Sequence, residues 1–262
     1  MTAYVFGDND IAVQRLRLLA TIYDTSTRAF VRSWAQPHRH DVKVLDLGCA
    51  LGYTTRLLAE ELQGEQTVGL DNSESFIALA RQESGTSENV AYRCHDVTQV
   101  PFPVSPVDLL FCRLLLTHMV DPPGLMASWA TQLRAGGFIL MEEVEWIHTN
   151  SEVFSTYLDM QRALLQHQAN CLDIGPMLEA LPVPPLLRKR ASNVRQVPVP
   201  ASQVAAMFAL NFHTWQQHPF VQSTFSAAHR QQIARDLQTL ASESQDGVEI
   251  EWGMRQLVYE RI

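Results

Sequence analysis

The stretch Val42–Glu61, VKVLDLGCALGYTTRLLAEE, changes character three times within twenty residues and constrains the fold more than any other part of the chain. Val42 to Leu47 is apolar with β-branched members, as a buried strand requires. Gly48 to Gly52 is small and loop-like. Tyr53 to Glu61 then reads as a helix, with Thr54 or Thr55 at its start and Leu57, Leu58 and Leu62 on one face. A strand that turns through glycines into a helix presents unpaired backbone N–H groups and a partial positive dipole at one spot. Such a turn is expected to dock an anion or a carboxylate.

The same alternation continues downstream. Thr67–Leu70 is a short apolar run ending at Asp71, and Asn72-Ser73 can cap a helix over 74–83. Asn89–Cys94 reads as a third strand before His95-Asp96, and Val107–Cys112 as a fourth. Leu114–Met119 reads as a helical turn and Leu125–Leu133 as a helix, which Ala135-Gly136-Gly137 would end before a fifth strand starting at Phe138–Met141. Strand and helix alternating in this way predict an α/β domain with a mainly parallel sheet. Ligands of such sheets sit at the carboxyl ends of the strands. That rule places Gly48, Asp71, Asp96, Cys112 and Glu142 on one rim.

Upstream, Asp10–Ala35 reads as two helices, with Asp24-Thr25-Ser26-Thr27 as the break between them. Beyond Asn150, helices are expected over 154–170 and 175–181, a strand over 186–199, a mostly helical block over 201–244, and one strand or a hairpin over 248–261. The helical block carries Phe208, Phe212, Trp215, Phe220 and Phe225, and lies between two late strands like an insertion over the sheet's rim. Segments in that position usually select substrate.

Composition narrows the function. Hydrophobic residues are 46% and charged residues 18% of 262, which suits a globular chain. A net charge of −8 argues against broad nucleic-acid binding, which needs a basic surface. The run Arg188-Lys189-Arg190 is read as a solvated strand edge. The cysteines Cys49, Cys94, Cys112 and Cys171 show no C-x-x-C spacing and read as free thiols. The opening MTAYVFGDND lacks the basic flank and apolar core of a signal peptide, so a cytoplasmic enzyme or binding protein is expected.

LDLGCALG, then Asp71, His95-Asp96-Val97, VDLLFCRLLLTHMVDP and LRAGGFILMEE, taken together in this order and spacing, resemble the class I S-adenosylmethionine-dependent methyltransferases. The likeness is greatest to the small-molecule branch described as type 11 or UbiE-like, and covers Asp10 to Ile147. It implies a Rossmann-like fold with a mainly parallel seven-stranded sheet flanked by helices. The implied layout is an N-terminal helical cap (1–40), a cofactor-binding core (41–150), helices and a late strand (151–200), a helical lid (201–246) and a terminal strand or hairpin (247–262).

By that resemblance, Asp46, Gly48, Cys49 and Gly52 lie against the methionine portion of S-adenosylmethionine. Asp71, nineteen residues after Gly52, accepts the ribose hydroxyls, with Asn72 and Ser73 beside it. Asp96 accepts from the adenine amino group and the Val97 N–H meets a ring nitrogen. Cys112 and Arg113 line the fourth-strand edge, although Cys112 reads equally as core filler. Tyr4 and Arg15 match positions that fold over the cofactor. Ala50 stands where the family often has glycine, so a positive φ is not expected there.

Methyl transfer is an in-line displacement in which a general base is optional. His118 and Glu142 are the candidate bases, with a structural role before the Asp-Pro turn as the alternative for His118. Strand alternation puts Glu143 and Glu145 on one face and Glu142 on the other. No histidine pair has helix-face metal spacing, so no metal is expected. The acceptor is expected to be a small, planar or lipophilic molecule, released with S-adenosylhomocysteine. Three other readings stay open: a protein that binds the cofactor without methyl transfer or uses its sulfonium in another reaction, an RNA methyltransferase, which the net charge disfavours, and a nicotinamide oxidoreductase. Against the last, Gly48 and Gly52 lack the G-x-G-x-x-G spacing.

Overall fold

The computed structural model describes residues 9–34, 41–85, 87–243 and 247–262. Asp10–Trp34 forms helix α1. The alternating part then runs β1 (Lys43–Leu47), α2 (Tyr53–Leu62), β2 (Gln66–Asp71), α3 (Glu74–Ser84), β3 (Val90–Cys94) and β4 (Val107–Arg113). A 3-10 turn (Leu116–His118), α4 (Pro122–Ala130) and β5 (Leu133–Thr149) follow. The remainder is α5 (Glu152–His167), α6 (Gly175–Ala180), β6 (Leu187–Pro198), α7 (Ala201–Trp215), α8 (Pro219–Thr224), α9 (Ala227–Ser242) and β7 (Ile250–Arg261).

The seven strands form one sheet in the order β3-β2-β1-β4-β5-β7-β6. β1 to β5 pair in parallel, and β7 runs antiparallel between β5 and β6. Strand order reverses between β1 and β4, the point at which a doubly wound sheet opens a crevice. On one face, Phe30 and Val31 of α1 and Leu57 and Leu58 of α2 cover Val44, Phe111, Leu140 and Val258. On the other, Met126 and Trp129 of α4 and Leu178 of α6 cover Leu45, Leu110, Met141 and Leu257. A side chain as fully enclosed as Leu58 contributes about 2 kcal/mol. A third cluster joins Tyr23 of α1 and Phe154, Tyr157 and Leu158 of α5 to Phe208, Phe212 and Trp215 of α7, over Val144 and Trp252 at one end of the sheet.

Two expectations are corrected. The break at 24–27 does not occur: α1 is one helix of 25 residues. Asn9 caps it, accepting from the Ile11 and Ala12 N–H groups. Ser26 and Thr27 are buried, so their hydroxyls serve the sheet beneath rather than a helix end. Ala135-Gly136-Gly137 does not end a helix either. α4 stops at Ala130, and Gly136 (φ 76°) lies in a register shift of the 17-residue β5. The far half of β5 is extended because β7, from the other end of the chain, pairs with it as far as Thr149. The terminal segment is one strand. The run Arg188-Lys189-Arg190 lies on the edge strand β6, where Lys189 and Arg190 meet Glu179 and Glu260. Among the described residues no helix is long and apolar enough to cross a membrane.

Candidate active site

The loop from Gly48 to Gly52 is held in three left-handed steps, with φ of 72° at Gly48, 45° at Ala50 and 73° at Gly52. The positive φ at Ala50 corrects the expectation. A Cβ at Gly48 would meet only the movable end of Leu115 (Cδ1 at 2.8 Å), so φ is what favours glycine there, whereas one at Gly52 would enter the Tyr92 ring, so space and φ both require it. Four of the loop's five N–H groups are paired within the protein. Gly48 and Cys49 both donate to the Leu70 carbonyl (2.8 and 3.0 Å), and Gly52 donates to the Cys49 carbonyl (2.8 Å). Ala50 donates to Asp71 Oδ2 at 2.9 Å. The turn is therefore tied to β2 rather than open to an anion.

Beside it lies a cavity of about 900 Å³, large for a small-molecule site. Its polar end is lined by Gly48, Cys49, Asp71, Asn72, Ser73, Asp96, Val97 and Thr98. Asp71 Oδ1 also accepts the Ser73 N–H at 2.9 Å, so one backbone donor on each oxygen orients the carboxylate. Ser73 Oγ caps α3 by accepting the Phe76 N–H. Asp96 Oδ1 accepts both the N–H and hydroxyl of Thr98 (2.9 and 2.7 Å). The Val97 carbonyl accepts from Trp129 Nε1 at 2.8 Å. Five residues around two adjacent strand ends are thereby fixed in place.

The cavity continues under α1, α5 and α7 into an apolar lobe walled by Leu19, Tyr23, Val144, Ile147, Leu165, Met207, Phe208 and Trp252, with the amides of Gln161, Asn170 and Asn211 among them. Arg15, Arg113 and His118 also line the cavity. Arg113 Nη1 donates to Thr27 Oγ1 at 2.8 Å, and its guanidinium lies 5.4 Å over the Tyr23 ring.

Four of the expected site residues do not reach this space. Asp46 is buried beneath the loop, where Oδ2 accepts from Thr55 Oγ1 at 2.7 Å. Burial raises its pKa to about 7, against the pull of Thr55 and Arg113. Gly52 lies against Tyr92. Cys112 is enclosed with the α4 face of the sheet, and burial pushes its thiol up. Glu142 points to the other face and is fully buried, accepting from Ser26 Oγ (3.3 Å), Thr27 Oγ1 (2.5 Å) and Gln256 Nε2 (2.7 Å). A carboxylate so enclosed cannot touch an acceptor, and Glu142 braces α1 instead. Cys112 and Glu142 thus leave the expected rim, while Gly48, Asp71 and Asp96 share it. Tyr4 lies outside the described residues.

His118 is on the wall, but burial and then the charge of Arg15 lower its pKa to about 3. Glu143 faces the opposite side from Glu142. Its Oε1 accepts the Leu115 and Leu116 N–H groups (both 2.8 Å) and so holds the turn after β4, while burial raises its pKa to about 7. Glu145 is paired with Arg255. His148 stacks on Trp146 with ring centroids 4.4 Å apart.

Residues 45–141 match the family model described as a methyltransferase domain. They form a class I methyltransferase domain. The chain is 29% identical over 102 residues to a ubiquinone biosynthesis O-methyltransferase of Coxiella burnetii, covering 38% of this chain and 43% of that protein. It is 32% identical over 118 residues to phosphoethanolamine N-methyltransferase 1 of Zea mays, covering 44% and 23%. The matches therefore span less than half the length of either relative. Among solved structures, coclaurine N-methyltransferase bound to N-methylheliamine and SAH aligns over 90% or more of this chain. It covers 91% of this chain and 72% of its own, with a TM-score of 0.57 at 14% identity, a likeness of fold.

The cavity wall also includes residues outside 45–141 that were not expected from the sequence. Tyr23, Gln161, Asn211 and Trp252 all line it. Two carried a signal. Gln161 sits between Leu158 and Leu165, and Asn211 between Phe208 and Trp215, so each amide interrupts the apolar stripe of its helix. Tyr23 and Trp252 carried none, because a buried aromatic looks the same in a core and on a cavity wall.

Proposed function

We propose that this chain binds S-adenosylmethionine at the polar end of the cavity and methylates a small organic acceptor in the apolar lobe. One observation carries this reading: a single cavity joins the oriented carboxylates of Asp71 and Asp96 to an apolar chamber large enough for a second molecule. The donor set at the polar end fits a nucleoside. Asp71 takes the ribose hydroxyls with Asn72 and Ser73 beside it, Asp96 takes the adenine amino group, and the Val97 N–H takes a ring nitrogen. Gly48 and Cys49 flank the methionine portion, and Arg15 and Arg113 supply cations for its carboxylate.

When bound, the cofactor supplies an electrophilic methyl group on a sulfonium. The chain's own residues align the acceptor and keep water out, which for an in-line displacement is most of the task. His118, with a pKa of about 3, is neutral near pH 7 and too weak a proton acceptor for efficient general-base catalysis. Its role is that of a wall residue. Asp46 and Glu142 act as positioning residues, the first beneath the loop and the second through Thr27 to Arg113. The helical block of α7, α8 and α9 serves as the lid. The four free thiols suit a cytoplasmic setting.

Calorimetry with S-adenosylhomocysteine tests the reading. The wild-type chain binds it, and Asp71→Ala weakens binding by about a hundredfold, the worth of two hydrogen bonds to a charged group. Near-normal affinity of Asp71→Ala would remove the ribose assignment.

A further inference from the structure

The acceptor lobe has a chemistry of its own. Tyr23 and Trp252 meet edge to face at 5.9 Å, and Trp252 and Phe208 meet at the same distance, so three rings enclose one side. Gln161 and Asn211, each 6% exposed, set side-chain amides into that apolar surround. Asn211 Oδ1 is itself sealed from the lobe, with the Tyr157 hydroxyl interacting with the same amide behind the wall, so the amide's other end is the part that the lobe can reach. A buried amide in an apolar wall is costly unless something completes its hydrogen bonds.

Charge is arranged the other way. Among the described residues, the carboxylates on the cavity wall are Asp71 and Asp96 at the polar end and Asp121, which caps α4 at the outer edge. The residues that α5, α7, β5 and β7 give to the wall include no carboxylate and no cation. The guanidinium of Arg113 already covers one face of Tyr23, and Arg15 lies close enough to His118 to lower its pKa. A protonated amine would enter the lobe beside the Arg113 guanidinium, with no carboxylate on that wall to pair with it. A phosphoester would reach its inner end with nothing to neutralise it.

We propose that the acceptor is an uncharged molecule of one or two fused rings whose polar substituents are read by the amides of Gln161 and Asn211, and not a cationic amine or a phosphoester. This rests on the methyltransferase reading above. Trp252 supplies exposed ring area for the flat faces, with Phe208 at its edge and Tyr23 packed behind. Between them the two amides offer a donor and an acceptor, so hydroxyl and ring N–H groups on the substrate's inner end are both satisfied.

The test uses the full chain saturated with S-adenosylhomocysteine at pH 7 and three probes: 5-hydroxyindole as the neutral bicycle, tetrahydroisoquinoline as the cation, and phosphoethanolamine. 5-Hydroxyindole binds at least about tenfold more tightly than either charged probe. Gln161→Leu and Asn211→Leu each weaken it by about tenfold and leave S-adenosylhomocysteine affinity within about twofold. Asn211→Asp, nearly the same shape, shifts preference toward tetrahydroisoquinoline by about tenfold. Equal or tighter binding of a charged probe overturns the proposal, as does failure of the neutral probe to bind while S-adenosylhomocysteine does. Failure to bind S-adenosylhomocysteine defeats the methyltransferase reading itself, a separate result read in the first titration.

Discussion

At Ala50 the backbone holds a φ of 45°, which costs a residue with a Cβ about 1–2 kcal/mol. The cost is met because that conformation brings the Ala50 N–H onto Asp71 Oδ2. Nothing comparable to the crowding at Gly52 forbids a Cβ at this position. Ala50→Gly is therefore expected to keep or raise the melting temperature, by up to about 1 kcal/mol of stability once the added freedom of the unfolded chain is deducted. Gly52→Ala puts a Cβ into the Tyr92 ring at φ 73° and is expected to lose more than about 2 kcal/mol. Thermal unfolding of the two variants checks both, and an unchanged melting temperature for Gly52→Ala would refute the steric account. The glycines of this loop are legible in the sequence because only they fit a strand-to-helix turn of that length. The pairing of its N–H groups is not, since the acceptors come from Leu70 and Asp71 on the next strand.

At the scale of elements, α1 is bound to the sheet by a polar contact inside an apolar layer. Ser26 and Thr27 from α1 and Gln256 from β7 converge on Glu142 of β5. Thr27 also receives Arg113, so the position of the helix and that of a cavity-wall cation are linked. Glu142→Ala leaves three buried groups short of an acceptor and is expected to cost about 3 kcal/mol. Glu142→Gln keeps an acceptor and is expected to cost less than half of that. Urea unfolding measures both, and a loss under 0.5 kcal/mol for Glu142→Ala, about the effect of an ordinary surface change, would show that the contact does not hold the helix. The polar run at 24–27 reads as a helix break because hydroxyls and carboxylates favour caps. With a buried carboxylate waiting more than a hundred residues later, the same hydroxyls favour staying in the helix. The existence of the alternating strands and helices was legible throughout 42–141, where periodicity is local. The length of β5 was not, because its partner arrives from the end of the chain.

For the whole molecule, the buried acids and the buried histidine oppose one another. Asp46 and Glu143 have folded pKa values of about 7, above their ordinary values near 4, so each adds stability at low pH that is lost as pH rises from about 4 to 7. His118, lowered to about 3, contributes with the opposite sign: its stability is present above about 6.5 and lost as pH falls toward 3. Two acids outweigh one histidine, so stability is expected to fall between pH 4.5 and 7 with a slope near one proton. Asp46→Asn removes one acid and is expected to flatten that slope. Denaturant midpoints across the range check it, and a wild-type curve rising with pH would reverse the assignment of sign. Strand-and-helix alternation, the glycine turn and the acidic residues at strand ends follow from the sequence alone, because each depends on neighbours within a few positions. They were enough for the α/β class and for an acidic rim at the ends of two neighbouring strands. Only the tertiary structure decided that Asp71 faces the cavity while Asp46 and Glu142 are sealed beneath it. It also decided that Gln161 and Asn211 line one apolar lobe. Which side of a packed layer a polar group faces is set by partners distant in the chain, and no local pattern records them.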